Sequence, residues 1–245
     1  MLTNQFTKSG YPLGLMLNQH GLRFVDEGVD LRNFTYAKFG HQVLQQPGSM
    51  AFQVWDATGS GWLREEKYAA DVVHKIYADS IEELAAKLGA EGLDDTATFS
   101  KTLRECNQAA AAFREANPQR KFDPSIKDGL STQSHKPGLL LPKSNWALPL
   151  EKAPFMAVKI TCGITFTFGG LCINPATAAV ISKASGGDIP GLYAAGEIVG
   201  GIFYSNYPGG SGLTIGAILG RKAGKYAGKE SRNPGYRDEA VRPML

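Results

Sequence analysis

Apolar and polar positions alternate in short runs through the first third of the chain and shift to helical spacing further on. YPLGLMLN, a His20-Gly21 turn and LRFVDEG predict a hairpin closed by glycine. A helix is predicted over about 33–44, followed by the strand-like run AFQVWD. Ser80 stands three residues before Glu83, the spacing of a capping box, ahead of Leu84, Ala85 and Leu88, with Gly89 as the stop. That is a short helix. Leu103, Cys106, Ala110 and Phe113 recur every three or four residues, so a longer helix is predicted from Asp94 or Asp95 to about Asn117, ended by Pro118, with Lys101, Arg104, Glu105 and Arg114 in solvent.

From Lys121 to Pro154 five prolines interrupt any periodic element, and this stretch reads as a connection between two bodies with a boundary near Leu150. Beyond it, FMAVKIT, FGGLCIN and AAVIS are strand-like runs split by glycine or Asn-Pro turns. The apolar GLYAAGE and a glycine cluster then open a helix over about 211–226. The expected fold is α+β in two domains, residues 1–150 and 151–245, and no internal repeat is visible.

Composition narrows the function classes. A net charge of +3 is too near balance to imply a nucleic-acid or membrane surface, and no run approaches the roughly 20 apolar residues that span a bilayer. Cys106, Cys162 and Cys172 form neither a disulfide framework nor a zinc pattern, which fits a reducing, cytoplasmic location. No metal site is expected: His20, His41, His74 and His135 make no ligand or triad pattern and read as structural or exposed. The basic residues Arg221, Lys222, Lys225, Lys229, Arg232, Arg237 and Arg242 read as a solvated run that complements a helix dipole.

Chemistry concentrates between Ile189 and Gly224, where a strand ends in a carboxylate and a glycine-rich loop leads directly into a helix. A helix N-terminus offers unpaired N–H groups and about half a positive charge, and Gly209, Gly210 and Gly212 let a ligand approach the backbone. Glycine equally serves helix packing, so the cluster by itself leaves both readings open.

GLYAAGE followed by NYPGGSGLTIGAILGRKAG resembles the C-terminal signature of the fumarate reductase and succinate dehydrogenase flavoprotein family, nearest its tricarballylate dehydrogenase-like branch. The resemblance extends upstream through KSNWALPLEKAPFMAVKITCGITFTFGGLCIN, FQVWDATG and NQHGLRFVDEGVDLRNFTYAKFG, with residues 56–135 matching only loosely. It implies FAD as cofactor and an active site between a substrate-capping domain, here residues 1–150, and the returning C-terminal part of an FAD-binding α/β domain, here residues 151–245. By the same resemblance Glu197 would bond hydroxyls of the FAD ribose or ribityl chain, its bland alternative being an ordinary strand-terminal acid. Gly210, Ser211, Gly212, Leu213 and Thr214 would bring the helix N-terminus to the flavin, with the N–H groups of Leu213 and Thr214 at its pyrimidine edge, the alternative being a simple helix start.

Substrate residues transfer with changes. The arginine that clamps a substrate carboxylate in fumarate-reducing members is replaced in Asn206-Tyr207-Pro208-Gly209-Gly210, where Tyr207 either polarises a substrate carbonyl or packs beside the loop. The histidines of those members are replaced in Thr165-Phe166-Thr167-Phe168-Gly169-Gly170, so Thr165, Thr167 and Asn206 become the candidate substrate contacts and a small dicarboxylate is disfavoured. Arg32 falls within about one residue of the family's proton-delivering or carboxylate-binding arginine; a surface salt bridge to Asp26 or Asp30 is the alternative.

The family's opening strand and G-x-G-x-x-G turn have no match here, so the expectation is a chain lacking the N-terminal Rossmann half. An apolar face would then need a homodimer or companion chain. Two functions follow: an FAD-dependent oxidoreductase, or the C-terminal part of one, working on a C–C bond beside a carboxylate or carbonyl of a small molecule; or a flavin-free isomerase, lyase or binding module using the retained pocket.

Overall fold

The computed structural model describes residues 9–134, 139–163 and 166–232, in two compact units of residues 1–163 and 164–245. In the first unit four strands, β1 (Leu15–Leu17), β2 (Met50–Trp55), β3 (Lys75–Ala78) and β4 (Phe155–Thr161), form an antiparallel sheet in the order β1-β2-β4-β3. Every residue of β2 is buried, because β2 runs through the middle of the sheet with both faces covered. The period of two sorts its side chains. Phe52 and Val54, with Ala157 of β4 opposite Val54, lie in one core, while Ala51 and Trp55 lie in two others.

The helices of this unit are α1 (Tyr36–Leu44), two single turns α2 (Ala57–Ser60) and α3 (Glu65–Tyr68), α4 (Ile81–Gly89) and α5 (Thr96–Ala116). Leu84 and Leu88 of α4 and Phe99, Leu103 and Cys106 of α5 fill the Phe52 core; Phe39 and Val43 of α1 pack in the Ala51 core. The forward half of the capping box forms, with Ser80 Oγ accepting the Glu83 N–H, while the Glu83 carboxylate reaches one residue past the cap and accepts the Asp79 N–H. Hydrogen bonding from Lys87 holds that exposed carboxyl below the usual carboxylate range. Asp95 caps α5 by accepting the Thr98 N–H, as the sequence predicts.

Three expectations change. The hairpin at His20-Gly21 shrinks to one bridge, Leu17 to Arg23, and β1 takes its ladder from β2. The segment 121–154 forms no helix or strand among its described residues, as expected, yet it is no free linker: Leu130, Thr132, Lys143, Trp146 and Leu150 are buried. Its backbone is satisfied by side chains instead of a ladder, with Asp128 accepting from the N–H groups of Leu130 and Trp146, and Asn107 of α5 bonding both polar groups of Leu150. Finally, β4, which the sequence places beyond a boundary at Leu150, is the strand between β2 and β3, so the first unit continues to Gly163.

A buried ionic cluster pins this segment. Arg23 donates to both oxygens of Glu27 and to the carbonyls of Leu141 and Pro142, and Lys143 donates to the Gly14 carbonyl at 2.6 Å. Burial pushes the Lys143 ammonium down to about 8, with Glu27 opposing. The unfolded chain holds this proton up to a pH of about 10.4, so between about 8 and 10.4 it binds more protons than the native state and this group's contribution to stability rises with pH. We expect the unfolding free energy of the natural chain to gain about 2 kcal/mol on a Lys143→Met variant between pH 7.5 and 10. Parallel urea titrations that show a constant difference would exclude the shift.

In the second unit, β5 (Ala179–Ile181) and β6 (Asp188–Tyr193) form an antiparallel hairpin, and α6 spans Ser211–Arg232, six residues longer than predicted. FGGLCIN contributes only the isolated bridges Leu171–Val199 and Ile173–Val180. β6 is largely exposed, although it runs into the apolar GLYAAGE. Val180, Ala194, Val199 and Leu219 make the small core.

Candidate functional site

The second unit's site is built around two glycine pairs. Gly169-Gly170 and Gly200-Gly201 cross so closely that a Cβ on Gly170 would stand 2.4 Å from the Ile198 carbonyl oxygen, and one on Gly200 2.5 Å from the Gly170 nitrogen. Only glycine permits this approach. It is held by Leu171 N–H to Ile198 O at 2.7 Å, Gly200 N–H to Leu171 O at 3.1 Å and Gly201 N–H to Phe168 O at 3.2 Å. The crossing brings Thr167 to Glu197: the Thr167 N–H donates to Glu197 Oε1 at 2.7 Å, leaving the rest of that exposed carboxylate to solvent. Glu197 sits in a 3-10 turn (Gly196–Ile198) after β6.

The loop into α6 is an aromatic cluster. The Tyr207 ring stacks on Phe166 with centroids 3.7 Å apart and meets Phe203 edge-on at 4.7 Å, and the residue is buried. Its hydroxyl lies against Gly212, where a Cβ would stand 2.2 Å from it. The packing alternative for Tyr207 therefore describes the ring, while the hydroxyl is placed at the first turn of α6. Replacing Gly212 by alanine gains helix propensity of about 1 kcal/mol but drives a methyl into a ring held between two phenylalanines. We expect a net loss of about 1–2 kcal/mol and a changed near-ultraviolet circular dichroism; an unchanged spectrum with a raised midpoint would contradict this packing.

Ser211 anchors the helix start by donating its hydroxyl to the Pro208 carbonyl at 2.6 Å. Gly210 has φ +85° and Gly196 φ +78°, and neither has an atom within 4 Å of where a Cβ would stand. Both are open backbone in a conformation that side chains avoid. Leu213 is 85% exposed, and Thr214 is exposed beside it. The first-turn N–H groups of a helix have no intrahelical partner. The unit thus gathers Glu197, Thr167, Tyr207 and the Gly210–Thr214 turn; Asn206 lies in the same loop, its N–H bonding Tyr204 O at 2.6 Å. Thr165 and His135 fall outside the described residues.

Arg32 belongs to the first unit, in a 3-10 turn (Arg32–Phe34) whose backbone is fixed by Thr35 and Tyr11 bonding the Arg32 carbonyl. The salt bridge to Asp26 or Asp30 does not form. Asp26 accepts from Gly28 and Ser144, and Asp30 pairs with Lys127 at 3.7 Å. Instead Arg32 lines a cleft of about 540 Å³ with Arg64, Trp62 and Leu31. Sequence reasoning missed Arg64 and Trp62; the signal available was an exposed Trp-Leu-Arg run straight after the Gly-Ser-Gly of α2. Of the histidines, His20 and His74 are surface partners of Asp94 and Glu91, and His41 bonds Gln45.

Comparison with known proteins bears directly on this geometry. The profile of the FAD binding domain family matches residues 1–213. A probable fumarate reductase of Shewanella frigidimarina is 28% identical over 220 residues, covering 89% of this chain and 31% of the relative. The 4-oxocyclohex-2-ene-1-carboxylate 5-dehydrogenase of Sinomonas cyclohexanicum is 27% identical, covering 88% and 36%. Among solved structures, the 3-ketosteroid-Δ4-(5α)-dehydrogenase of Rhodococcus jostii in complex with 4-androstene-3,17-dione superposes with a TM-score of 0.62 at 26% identity, covering 89% of this chain and 39% of that one. The open conformation of a flavocytochrome c3 fumarate reductase gives 0.56 at 26% identity, covering 94% and 34%. The chain spans about a third of the length of these relatives.

Proposed function

Because the chain belongs to the FAD binding domain family, among the flavoproteins that include the fumarate reductases, we propose that it is an FAD-dependent oxidoreductase, or the C-terminal portion of one, acting on a C–C bond beside a carbonyl or carboxylate. In this reading the first unit, residues 1–163, supplies the substrate cap and the second, residues 164–245, the returning part of the FAD-binding domain. The carrying observation is the open backbone at Gly196 and Gly210 around Glu197 and the start of α6. The residues fit the cofactor: a carboxylate acceptor for sugar hydroxyls, and a helix N-terminus, beside glycines that leave room for a flat ring, to face an electron-rich edge.

When bound, FAD supplies the hydride acceptor or donor. Glu197 keeps its orientation through the Thr167 N–H and offers its remaining lone pairs to FAD hydroxyls. Backbone N–H groups of Leu213 and Thr214 stabilise negative charge. Tyr207, its ring clamped by Phe166 and Phe203, presents a neutral phenol donor to a substrate carbonyl, with Thr165, Thr167 and Asn206 orienting the substrate. Arg32 delivers or holds the proton, or binds a carboxylate. Ring compounds bearing a carbonyl, as named for the Sinomonas and Rhodococcus relatives, suit this donor set better than a small dicarboxylate.

Leu192, Ile198, Leu213 and Ile218 are exposed on the second unit. In this reading they are covered by the rest of a full-length family protein, by a companion chain or by a second copy. No helix of the described residues is long and apolar enough to cross a membrane, and the three cysteines are free thiols, which supports a cytoplasmic setting.

The test is visible absorbance and a melting curve of the chain with added FAD. We expect flavin peaks that co-migrate with the protein and a midpoint raised by about 5 °C at saturating FAD. A colourless protein whose midpoint ignores FAD would overturn flavin chemistry for this chain and favour the flavin-free isomerase, lyase or binding module.

A further inference from the structure

We propose that Tyr11 is a positioning residue for Arg32: its buried hydroxyl ties the turn that carries Arg32 to the strap of residues 9–14 and holds the two as one rigid rim of the cleft. The inference deepens the flavoenzyme reading and rests on it only for the task of Arg32.

Two segments meet at this cleft, Gly10, Pro12 and Leu13 from the strap and Leu31, Arg32 and Asn33 from the turn. The strap is a firm reference. Gly10 donates its N–H to the Tyr68 hydroxyl at 2.8 Å and accepts from the Trp55 indole N–H at 2.9 Å, while the Gly14 carbonyl accepts from buried Lys143. Trp55 belongs to β2, so the strap is fastened to the middle of the sheet. The turn is less firm by itself. Arg32–Phe34 is a 3-10 helix of three residues, closed by Phe34 N–H to Leu31 O at 2.9 Å and Thr35 N–H to Arg32 O at 3.1 Å. Bonds of this type have poorer geometry than those of an α-helix. A guanidinium on a long side chain takes its bearing from the backbone beneath it, so a functional Arg32 needs that backbone supported from behind.

Tyr11 supplies the support. Its ring is braced edge-on against Phe39 of α1 with centroids 4.9 Å apart, and its hydroxyl meets Thr35 Oγ1 at 2.8 Å. The Arg32 carbonyl lies 3.4 Å from each of these two hydroxyl oxygens, and the Leu31 carbonyl lies 3.4 Å from that of Thr35. Two hydroxyls bring two protons: one joins the pair, and the other is left for a carbonyl of the turn. Tyr11 is 3% exposed and Thr35 2%, so water does not compete for these groups, and losing either hydroxyl leaves a buried partner short of a bond. Burial also pushes the Tyr11 phenol up to about 12, which keeps it a neutral donor at neutral pH.

The experiment uses the full chain without flavin and three variants, Tyr11→Phe, Thr35→Val and Thr35→Ser. Tyr11→Phe keeps the ring against Phe39 and removes only the hydroxyl. Three quantities are followed: hydrogen exchange at the Thr35 amide, the rate at which phenylglyoxal adds to Arg32 relative to Arg64 by peptide mass spectrometry, and the melting midpoint. In Tyr11→Phe we expect the Thr35 amide to exchange about tenfold faster with Leu103 of α5 unchanged, Arg32 to react about threefold faster relative to Arg64, and the midpoint to fall by about 4 °C. Thr35→Val should follow Tyr11→Phe, and Thr35→Ser, which restores the hydroxyl, should return the ratio to that of the natural chain. A lowered midpoint with an unchanged Arg32 to Arg64 ratio shows a hydroxyl that serves stability alone and overturns the proposal. So does a Thr35→Ser variant that behaves as Thr35→Val. A chain that ignores FAD yet shows the changed ratio keeps Tyr11 as the support of Arg32 and loses the flavoenzyme reading; one that takes up FAD with the ratio unchanged does the reverse.

Discussion

Replacing Glu27 by glutamine lowers the unfolding free energy of the first unit by about 3–5 kcal/mol, the cost of leaving a buried charge without its partner. Glu27 is fully buried, and its carboxylate accepts from the Met16 N–H at 2.8 Å and from two nitrogens of Arg23, whose side chain is 4% exposed. Burial works against the charge on Arg23, and Glu27, by charge and by hydrogen bond, more than offsets it, so the guanidinium pKa is raised. Buried Lys143 adds a second cation that relies on the same carboxylate. The glutamine variant keeps the shape and removes the charge, which isolates the electrostatic part. All three tryptophans, Trp55, Trp62 and Trp146, lie in the first unit, so urea unfolding followed by their fluorescence reads this unit alone. A loss below about 1 kcal/mol would show that water or rearrangement satisfies Arg23 and Lys143 instead.

The second large effect is expected at Gly200. An alanine there places its Cβ 2.5 Å from the Gly170 nitrogen and 3.0 Å from two backbone carbons of the Gly169-Gly170 pair, none of which is a flexible side-chain end. The strands of the crossing must part, breaking the Leu171, Gly200 and Gly201 hydrogen bonds, at about 2–4 kcal/mol. Because the same crossing sets Thr167 against Glu197, the rise in melting temperature with FAD should disappear together with slow exchange of the Leu171 and Gly200 amides. Gly216→Ala is the control. Its site is open and helical, so the variant should match or exceed the natural chain by up to about 1 kcal/mol. Retained FAD response in Gly200→Ala would show that Glu197 finds its geometry without the crossing.

The helices were legible where a local signal suffices. Asp95 and Ser80 cap their helices because their oxygens reach N–H groups three residues on. The glycine-rich loop before α6, the candidate Glu197 and the family resemblance were likewise legible, since they reside in contiguous residues. The hairpin at Gly21 was overread because a strand's ladder is a long-range matter: β1 pairs along its length with the buried β2, and its neighbour in sequence adds a single bridge. Prolines in 121–154 correctly excluded regular structure but said nothing of burial.

By itself the sequence determined most of the helical segments, where a backbone can be approached closely, and which family the chain belongs to, because propensity, capping and glycine patterns act over a few residues. Only the tertiary structure decided that β4 closes the first sheet, that Glu27 neutralises Arg23 beside Lys143 in a buried cluster, that Gly170 and Gly200 cross, and that Arg32 shares a cleft with Arg64. Each of these joins residues about 30 or more positions apart or turns on burial. Which distant groups share a volume, and which charges must be paired once water is gone, is set by packing of the whole chain.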